Sequence, residues 1–273
     1  MFIKKRGKMN NYRIIKKENI EYLQFNKLLE FEDELTHAYS LKTYGIGFKG
    51  YKENPIADKS YETICSELNI KLEDVVHPIQ KHTSNICEYR KEEKVELDYI
   101  DGIITNETNV ATVLTYADCM SLLMYDPKEK VIANIHSGWR GTIQQIGVKA
   151  VYKMIHDYNC KPQNIICCFG PSIRKDHFLV NDDVKELFLN EFKEICDKNP
   201  IIENTDLSNE KGKLYKIDTA LLNKILLKNI GLIDNNLIDC GICTVCNFDK
   251  FHSYRMEKED YQANAGIMML KKK

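Results

Sequence analysis

The amino-acid sequence predicts an α/β fold in which some neighbouring strands run antiparallel. Apolar runs of strand length alternate along the chain with segments of helical periodicity. Two of these runs are joined by the short link 126–130, which cannot hold the helical crossover that parallel strands need. No repeat, low-complexity tract or linker rich in proline or serine interrupts the 273 residues. We therefore expect an N-terminal extension, residues 1–30, followed by one α/β domain, residues 31–273.

The composition argues against nucleic acid and membrane as partners. The 39 Lys and Arg residues are balanced by 40 Asp and Glu residues, so the net charge is −1 and the chain has no strong basic field. No apolar run approaches the ~18 residues of a membrane helix, and the charged start lacks the apolar core of a signal peptide. We expect a cytoplasmic protein in which most of the 10 cysteines are reduced thiols.

The elements before residue 105 are short. Alternation predicts a strand at 35–40, glycines predict a loop at 44–50, and helical spacing of apolar residues predicts a helix at 58–72. Pro78 favours an extended segment that ends at His82. Asp101 and Gly102 form a turn signal before a short apolar run.

The central stretch, residues 110–141, carries two strand-like runs that each deliver a side chain able to bind a metal. Cys119 follows the first run and His136 ends the second, which then passes through Ser137 and Gly138 into a helical segment, 141–158. Such strand ends are common places for active sites, because the scaffold is rigid and the loop is free to carry function.

The remaining chain continues the alternation. A continuous apolar run predicts a buried strand at 164–169. Two helices are predicted at 181–198 and 218–230, the second capped by Asp218. A final strand is predicted at 267–270.

His82, Cys119 and His136 each end an extended segment and together form a candidate metal site. Two imidazoles and a thiolate suit Zn²⁺, and three protein ligands leave a fourth position for water or substrate. Zinc lowers the pKa of such a water to about 7. Their wide sequence spacing forms no local motif, so ordinary residues at strand ends are the alternative interpretation.

Cys240, Cys243 and Cys246 form two successive CxxC spacings near the C-terminus. This pattern is compatible with a structural metal or iron–sulfur site, with a redox-active pair, or with buried thiols. A closed metal site needs a fourth ligand, and the sequence offers three candidates for it: Cys160, Cys167 and His252.

Two arginines are candidates for binding an anion. Arg140 lies between glycines at the predicted start of a helix, where backbone N–H groups and a guanidinium suit phosphate. Arg255 lies among hydroxyl and aromatic residues near the C-terminus. Close packing by the glycines and a surface ion pair are the respective alternatives. The sequence contains no Walker loop and no dinucleotide-binding fingerprint.

Together these stretches resemble the laccase-domain family, whose members are also described as polyphenol oxidases and purine nucleoside phosphorylases. The matching pieces occur in the order typical of the family, and they are Gln80-Lys81-His82, Asp101-Gly102, residues 115–119, residues 136–141, residues 170–173, Cys243-Thr244 and residues 251–255. The Ala-Asp-Cys piece and the His-Ser-Gly-Trp-Arg-Gly piece are highly specific as a pair.

The resemblance implies a single layered α/β/β/α domain with mixed sheets, in which His82, Cys119 and His136 bind zinc. It implies phosphorolysis of adenosine, inosine or guanosine to the base and ribose 1-phosphate, with adenosine deaminase and methylthioadenosine phosphorylase side activities. Cys119, Arg140 and Arg255 are then the catalytic candidates, and Asp118 is a candidate for holding a ligand in place. The expected partners are purine nucleosides and phosphate, and the expected state is a monomer or homodimer.

The chain departs from the family at three places. Thr83 replaces the glycine that usually follows the first histidine, Lys42 replaces an early arginine, and residues 261–263 replace a late Thr-Gly-Arg, so one expected contact to phosphate or ribose is missing. The resemblance also treats Cys243 and Cys246 as part of the family's own segment rather than as a separate metal site. A copper-dependent polyphenol oxidase and a non-catalytic metal-binding protein are the alternatives, since copper also binds sites with N and S donors.

Overall fold

A computed structural model describes residues 11–272 of the chain, and two six-stranded sheets form its centre. The first sheet contains, in spatial order, β1 (Tyr12–Lys16), β2 (Glu21–Phe25), β3 (Leu35–Ser40), β15 (Asn264–Leu270), β7 (Ala111–Tyr116) and β4 (Val75–Val76). The second contains β14 (Leu237–Asp239), β10 (Ile166–Phe169), β8 (Met120–Asp126), β9 (Val131–Ser137), β6 (Gly102–Thr105) and β5 (Ile86–Glu88). Both sheets are mixed, because each has parallel as well as antiparallel pairs.

The two sheets pack face to face, and the alternation of side chains along their strands explains why. Leu114 and Tyr116 of β7 pack against Leu123 and Ile132 of the second sheet. Val113, which points to the opposite side of β7, packs beneath α2 (Pro55–Glu67). Each central strand therefore has two apolar faces, one toward the other sheet and one toward a helix.

Helices cover the outer faces of both sheets. The second sheet carries α4 (Ile146–Tyr158) and α6 (Thr219–Asn229), which bury Met154 and Leu227 against β8 and β9. A third, three-stranded sheet packs with α5 (Asp182–Lys198) and α6, and its strands are β11 (Leu179–Val180), β13 (Gly212–Ile217) and β12 (Ile202–Asn209). The predicted mixed α/β fold with α/β/β/α layers is confirmed.

The predicted antiparallel hairpin is confirmed. β8 and β9 pair in register from Met120 opposite Ser137 to Asp126 opposite Val131. Oδ1 of Asp126 accepts the backbone N–H of Lys128 at 2.8 Å and so stabilises the turn.

The helix predicted at 141–158 is two helices, which corrects the sequence interpretation. The first, α3 (Trp139–Ile143), ends before Gln145, whose φ of 58° lies in the left-handed region. Ile143 of α3 packs toward the three-stranded sheet, whereas Ile146 packs on the second six-stranded sheet. The break redirects the apolar stripe, and periodicity alone could not show this because both isoleucines fit one helical pattern.

The strand predicted at 35–40 is present with the same ends, and the other predicted elements are present with shifted ends. α2 starts earlier than predicted because Oδ1 of Asn54 caps it by accepting the N–H of Ile56. The side chain of Asp218 caps α6 as predicted, by accepting the N–H of Leu221. Two four-residue helices, α1 (Asn26–Leu29) and α7 (Tyr254–Glu257), complete the α-helices of the described residues.

Residues 1–10 of the predicted N-terminal extension lie outside the described part of the chain, and the boundary after residue 30 stays a prediction. In the described part, every helix is too short or too polar to cross a lipid bilayer.

Candidate functional site

Three side chains able to bind a metal converge between the two six-stranded sheets. His82 follows the extended segment after β4, Cys119 lies in the turn between β7 and β8, and His136 belongs to β9. We call these residues the first cluster. Their ligand atoms all lie within 4.8 Å of one another, and the two imidazole rings have centroids 4.9 Å apart at an angle of 74°. The structure thus brings together the three residues that the sequence analysis grouped.

The spacing inside the first cluster is that of ligands sharing one ion. Sγ of Cys119 lies 3.6 Å from Nε2 of His82. A tetrahedral ion with M–N and M–S bonds of the length found for zinc separates the two donors by about 3.6 Å. The donor set and its geometry therefore fit a metal ion.

Asp101 fixes the orientation of His136. Its Oδ1 accepts a hydrogen bond from Nδ1 of His136 at 2.7 Å, and its backbone carbonyl accepts the N–H of the same residue at 2.8 Å. Both side chains are buried, at 0% and 4% exposure, so water does not compete for this contact. A histidine whose Nδ1 is held by a carboxylate presents Nε2 as its ligand atom.

The same carboxylate shapes the loop that carries His82. Oδ1 of Asp101 accepts the backbone N–H of His82 at 3.1 Å, and Oδ2 accepts those of Lys81 and Thr83 at 3.2 and 2.7 Å. His82 has a φ of 58°, a left-handed conformation that costs energy for a residue with a side chain. Three hydrogen bonds to one carboxylate offset that cost and place the imidazole beside Cys119.

Cys119, His136 and Asp101 stabilise one another's charged forms. Burial opposes ionisation of the Cys119 thiol, but the neighbouring His136 and His82 imidazoles outweigh it and lower its pKa to about 6. Burial likewise opposes protonation of His136, yet Cys119 and Asp101 raise its pKa to about 9. Burial would raise the pKa of Asp101, but its hydrogen bonds to His136 and Thr83 lower it to about 2. Without metal, these shifts favour a thiolate at Cys119 beside an imidazolium at His136.

Gly138 allows this close packing. A Cβ added at this position would lie 3.0 Å from Sγ of Cys119 and 3.0 Å from Cδ2 of His82. Real Cβ atoms rarely approach heavy atoms so closely, so any larger residue would displace a member of the first cluster. A Cβ at this position would therefore require Cys119 or His82 to shift by a few tenths of an ångström.

The first cluster lines a cavity of about 510 Å³, a size typical of small-molecule sites. Both sequence-predicted arginines, Arg140 and Arg255, also line it, as do Lys49 and the aromatic residues Trp139 and Tyr261. The cavity thus combines metal-binding donors, cations and aromatic surface.

The two arginines are held differently. Arg140 is the second residue of α3, and its exposed guanidinium lies 4.2 Å from the centroid of the Trp139 ring. Arg255 is half-buried in α7, and its Nη1 donates to the carbonyl of His177 at 2.8 Å. In the described part of the chain neither guanidinium pairs with a carboxylate, so both charges remain available to an anion.

Sequence reasoning missed two residues of the site. The sequence interpretation places Asp101 in a turn and in one family piece but gives it no role at the site, although an aspartate directly before a buried strand must find partners for its charge. Lys49 lies in the predicted loop 44–50, and its Nζ is 3.6 Å from the centroid of the Tyr261 ring. No local pattern marks Lys49 as a cavity residue, because the contact with Tyr261 joins distant parts of the chain.

Asp118 does not hold a member of the first cluster by its carboxylate. Its Oδ1 accepts from Oγ1 of Thr244 at 2.5 Å, and its Oδ2 accepts the backbone N–H of Arg255 at 2.7 Å. It therefore ties the C-terminal segment to the turn that carries Cys119.

The cysteines near the C-terminus separate into two groups. Cys243 and Cys246 lie beside His177, and these three residues form a second cluster whose ligand atoms are within 4.8 Å of one another. Cys240 is not part of it, because its Sγ faces Arg174 at 3.8 Å. The fourth ligands considered from the sequence lie elsewhere: Cys160 and Cys167 in the core, and His252 against Glu257.

The family model described as multi-copper polyphenol oxidoreductase laccase matches residues 42–271. The chain belongs to this family. Purine nucleoside phosphorylase YlmD of Bacillus subtilis is 29% identical over 221 residues, covering 77% of this chain and 74% of that protein. Adenosine deaminase RL5, from an unknown prokaryotic organism, is 28% identical over 201 residues, covering 71% and 74%.

Solved structures support the fold. The crystal structure of the Bacillus licheniformis hypothetical protein YfiH is similar with a TM-score of 0.82 at 20% identity, over 94% of this chain and 99% of that one. At this identity the likeness shows a shared fold.

The departures from the laccase-family pattern have structural consequences. Oγ1 of Thr83 donates to Oδ2 of Asp101 at 2.7 Å, so the residue that replaces glycine adds a contact to the carboxylate behind the first cluster. Lys42 pairs with Glu257 and lies outside the cavity lining. Tyr261, in the segment that replaces Thr-Gly-Arg, carries Lys49 against its ring.

Proposed function

We propose that this protein is a zinc-dependent purine nucleoside phosphorylase that converts adenosine, inosine or guanosine and phosphate into the free base and ribose 1-phosphate. One observation carries the proposal: the first cluster and three cationic side chains, Lys49, Arg140 and Arg255, line the same cavity. Relatives named purine nucleoside phosphorylase and adenosine deaminase support it. Adenosine deamination and methylthioadenosine phosphorolysis are the proposed side activities.

His82, Cys119 and His136 are the proposed zinc ligands. When bound, zinc supplies a Lewis acid that polarises an oxygen or lowers the pKa of a coordinated water. Asp101 holds His136 by Nδ1 and the His82 loop by its backbone, so both imidazoles are placed before an ion arrives. The thiolate of Cys119 is favoured near neutral pH because its pKa is lowered to about 6 by the imidazoles, despite burial.

Arg140, Arg255 and Lys49 are the proposed phosphate-binding residues. In phosphorolysis a phosphate oxygen bonds to C1′ of the ribose while the C1′–N bond breaks and the base leaves with the electron pair. Guanidinium groups bind phosphate by paired hydrogen bonds that a point charge cannot make. The contact of Arg255 with the His177 carbonyl fixes its guanidinium, and Lys49 adds a cation next to the segment that lacks the late arginine.

Aromatic side chains provide a surface for the purine. Trp139, Tyr254 and Tyr261 line the cavity, and the two tyrosine rings meet edge to face with centroids 5.2 Å apart. A purine ring stacks favourably on such side chains.

Polyphenol oxidation is the second candidate, because the matching family model carries that description. A laccase needs several copper ions to reduce O₂. Among the described residues, the first cluster is the only group of three metal-binding side chains that lines the cavity, which favours phosphorolysis. A metal-binding protein without catalysis is the third candidate.

The deciding experiment incubates metal-loaded protein with adenosine, inosine or guanosine, with and without phosphate, and separately with a phenol, each in air and without oxygen. The products are separated by chromatography. We expect base and ribose 1-phosphate only when phosphate is present, and equally without oxygen. Consumption of phenols that depends on O₂ would support the oxidase, and bound metal without any turnover would support a non-catalytic role. The cytoplasmic location and the monomeric or homodimeric state stay predictions.

A further inference from the structure

The second cluster, His177, Cys243 and Cys246, has the geometry of a metal site. Nδ1 of His177 lies 3.6 Å from Sγ of Cys243 and 3.6 Å from Sγ of Cys246. One imidazole nitrogen is therefore equidistant from two thiol sulfurs that lie within 4.8 Å of each other. The first cluster has the same separation of 3.6 Å between His82 and Cys119.

A separation of 3.6 Å between nitrogen and sulfur matches the edge of a coordination tetrahedron. Bonds of about 2.0 Å from a metal to nitrogen and about 2.3 Å to sulfur place the two donors about 3.6 Å apart at a tetrahedral angle. Two sulfurs and one imidazole are the donor set preferred by a borderline-soft divalent ion such as zinc.

Backbone contacts hold the two segments of the second cluster together. Thr244 donates its backbone N–H to the carbonyl of Ser172 at 3.1 Å, and Ser172 donates to the carbonyl of Ile242 at 3.3 Å. His177 follows five residues after Ser172, in the turn before β11, and so its ring reaches the cysteines that flank Thr244 and Val245. The site is built from residues far apart in sequence, but on segments that are already paired.

Access to the second cluster is open on one side. Cys243 is buried, His177 is half-buried and Cys246 is exposed, so an ion can enter from solvent. Three protein donors leave one tetrahedral position, which a water molecule can fill.

We propose that His177, Cys243 and Cys246 form a second metal site that takes zinc or a divalent ion of similar preference. The ion would hold one wall of the cavity in place. The carbonyl of His177 accepts a hydrogen bond from Arg255, and Thr244, beside Cys243, donates one to Asp118, the neighbour of Cys119. This site is separate from the first cluster in its residues, and the inference does not depend on the proposed nucleoside chemistry.

The test measures zinc per chain in the full-length protein. The protein is stripped of metal under reducing conditions, dialysed against buffered zinc and measured by plasma mass spectrometry. We expect about two zinc ions per chain in the unaltered protein and about one in Cys246→Ser, whose exposed side chain can be changed without disturbing the core. His177→Ala serves as a second variant that removes the other type of donor. Cys240→Ser is the matched control, because this cysteine lies six residues before Cys246 and outside the second cluster; it should keep both ions.

Cadmium-113 NMR identifies the donors independently of the count. We expect two resonances in the unaltered protein, and Cys246→Ser should remove the one that reports two thiolates. Equal metal content in the unaltered protein, Cys246→Ser and His177→Ala would overturn the inference, as would recovery of a Cys243–Cys246 disulfide from protein prepared with zinc.

A further variant, His82→Ala, separates this inference from the proposed function. If zinc is lost from His82→Ala but not from Cys246→Ser, the second site is overturned while the first cluster stands. If zinc is lost from Cys246→Ser but not from His82→Ala, the second site is supported and the proposed catalytic site fails.

Discussion

Oδ1 of Asp101 lies 2.7 Å from Nδ1 of His136, and the buried carboxylate is thereby placed directly behind the first cluster. The same oxygen accepts the backbone N–H of His82 at 3.1 Å. A single carboxylate thus positions two of the three proposed zinc ligands, and this relationship leads to the first prediction.

Asp101→Asn should weaken zinc binding at the first cluster by about 10–100-fold, the usual cost of losing an outer-shell carboxylate. The neutral amide neither stabilises the N–H of His136 as strongly nor accepts three backbone N–H groups with both of its polar atoms. Competition with a chelator, after circular dichroism has confirmed the fold, measures the change. Asp98→Asn is the control, because Asp98 is exposed and lies outside the first cluster. Unchanged affinity in folded Asp101→Asn would show that Asp101 only supports the turn.

Cys119→Ser should remove about one zinc ion per chain and abolish phosphorolysis and deamination together. Serine changes the volume little, but its hydroxyl does not ionise on zinc as the thiol does. Activity should fall by more than about 100-fold, which is the loss expected when a group that only supports a metal ligand is removed. The measurements are bound zinc, circular dichroism and turnover of adenosine. Cys196→Ser, a partly buried cysteine of α5 outside both clusters, should behave like the unaltered protein. Near-normal phosphorolysis by folded, zinc-depleted Cys119→Ser would refute the proposed site.

Zinc binding at the first cluster should release protons in a way that depends on pH. Without metal, the pKa of His136 is raised to about 9 by Cys119 and Asp101 despite burial, and the imidazoles lower the pKa of Cys119 to about 6 despite burial. Zinc needs the neutral imidazole and the thiolate. Within this pair, His136 must lose a proton between these two pH values, whereas below about pH 6 the thiol of Cys119 must lose one as well. Affinity should therefore rise with pH up to about 9.

Calorimetry in buffers of different ionisation enthalpy measures this release. The Cys246→Ser variant is the suitable background, because it removes the proposed second site. We expect about one proton per zinc at pH 7.5 from the two coupled groups and more below pH 6. A release that does not change across this range would contradict the charge pairing of Cys119 and His136.

Gly138→Ala should weaken zinc binding by at least about tenfold while the fold is kept. The added Cβ would lie 3.0 Å from Sγ of Cys119 and from Cδ2 of His82, so one of the two must move. Gly141→Ala is the matched control, since its Cβ would lie 3.3 Å from Cγ2 of Ile146 and 3.4 and 3.5 Å from the backbone oxygens of Thr83 and His136, and so approaches no ligand atom. The comparison uses the same chelator competition. Equal zinc affinity in both variants would contradict this prediction. It would show that the first cluster accommodates the added Cβ without losing its ligand geometry.

Arg140→Lys should raise the KM for phosphate by about tenfold, because lysine keeps the charge but loses the paired hydrogen bonds. Deamination does not use phosphate and should change less. Steady-state kinetics of both reactions in one preparation give the comparison. Arg90→Lys is the control, because Arg90 is an exposed arginine that faces Glu93 away from the cavity. Equal losses in both reactions would show that Arg140 has a structural role.

Local pattern was enough for much of the secondary structure. The strand Leu35–Ser40, the β8–β9 hairpin and the helix capped by Asp218 follow from alternation, link length and capping chemistry. The break at Gln145 was not predictable in this way, because it depends on which sheet each side of the helical segment contacts.

The sequence by itself determined the layered fold class and the grouping of His82, Cys119 and His136, because specific motifs carried a family resemblance. Only the tertiary structure decided which carboxylate supports them. The pairing of Gly102 with Ile135 in the second sheet places Asp101 beside His136, whereas Asp118, adjacent to Cys119 in sequence, turns toward Thr244. Likewise, CxxC spacing marked Cys243 and Cys246, but their partner His177 comes from another segment. Strand register and paired loops set such contacts, and neither is written in the local sequence around the residues that meet.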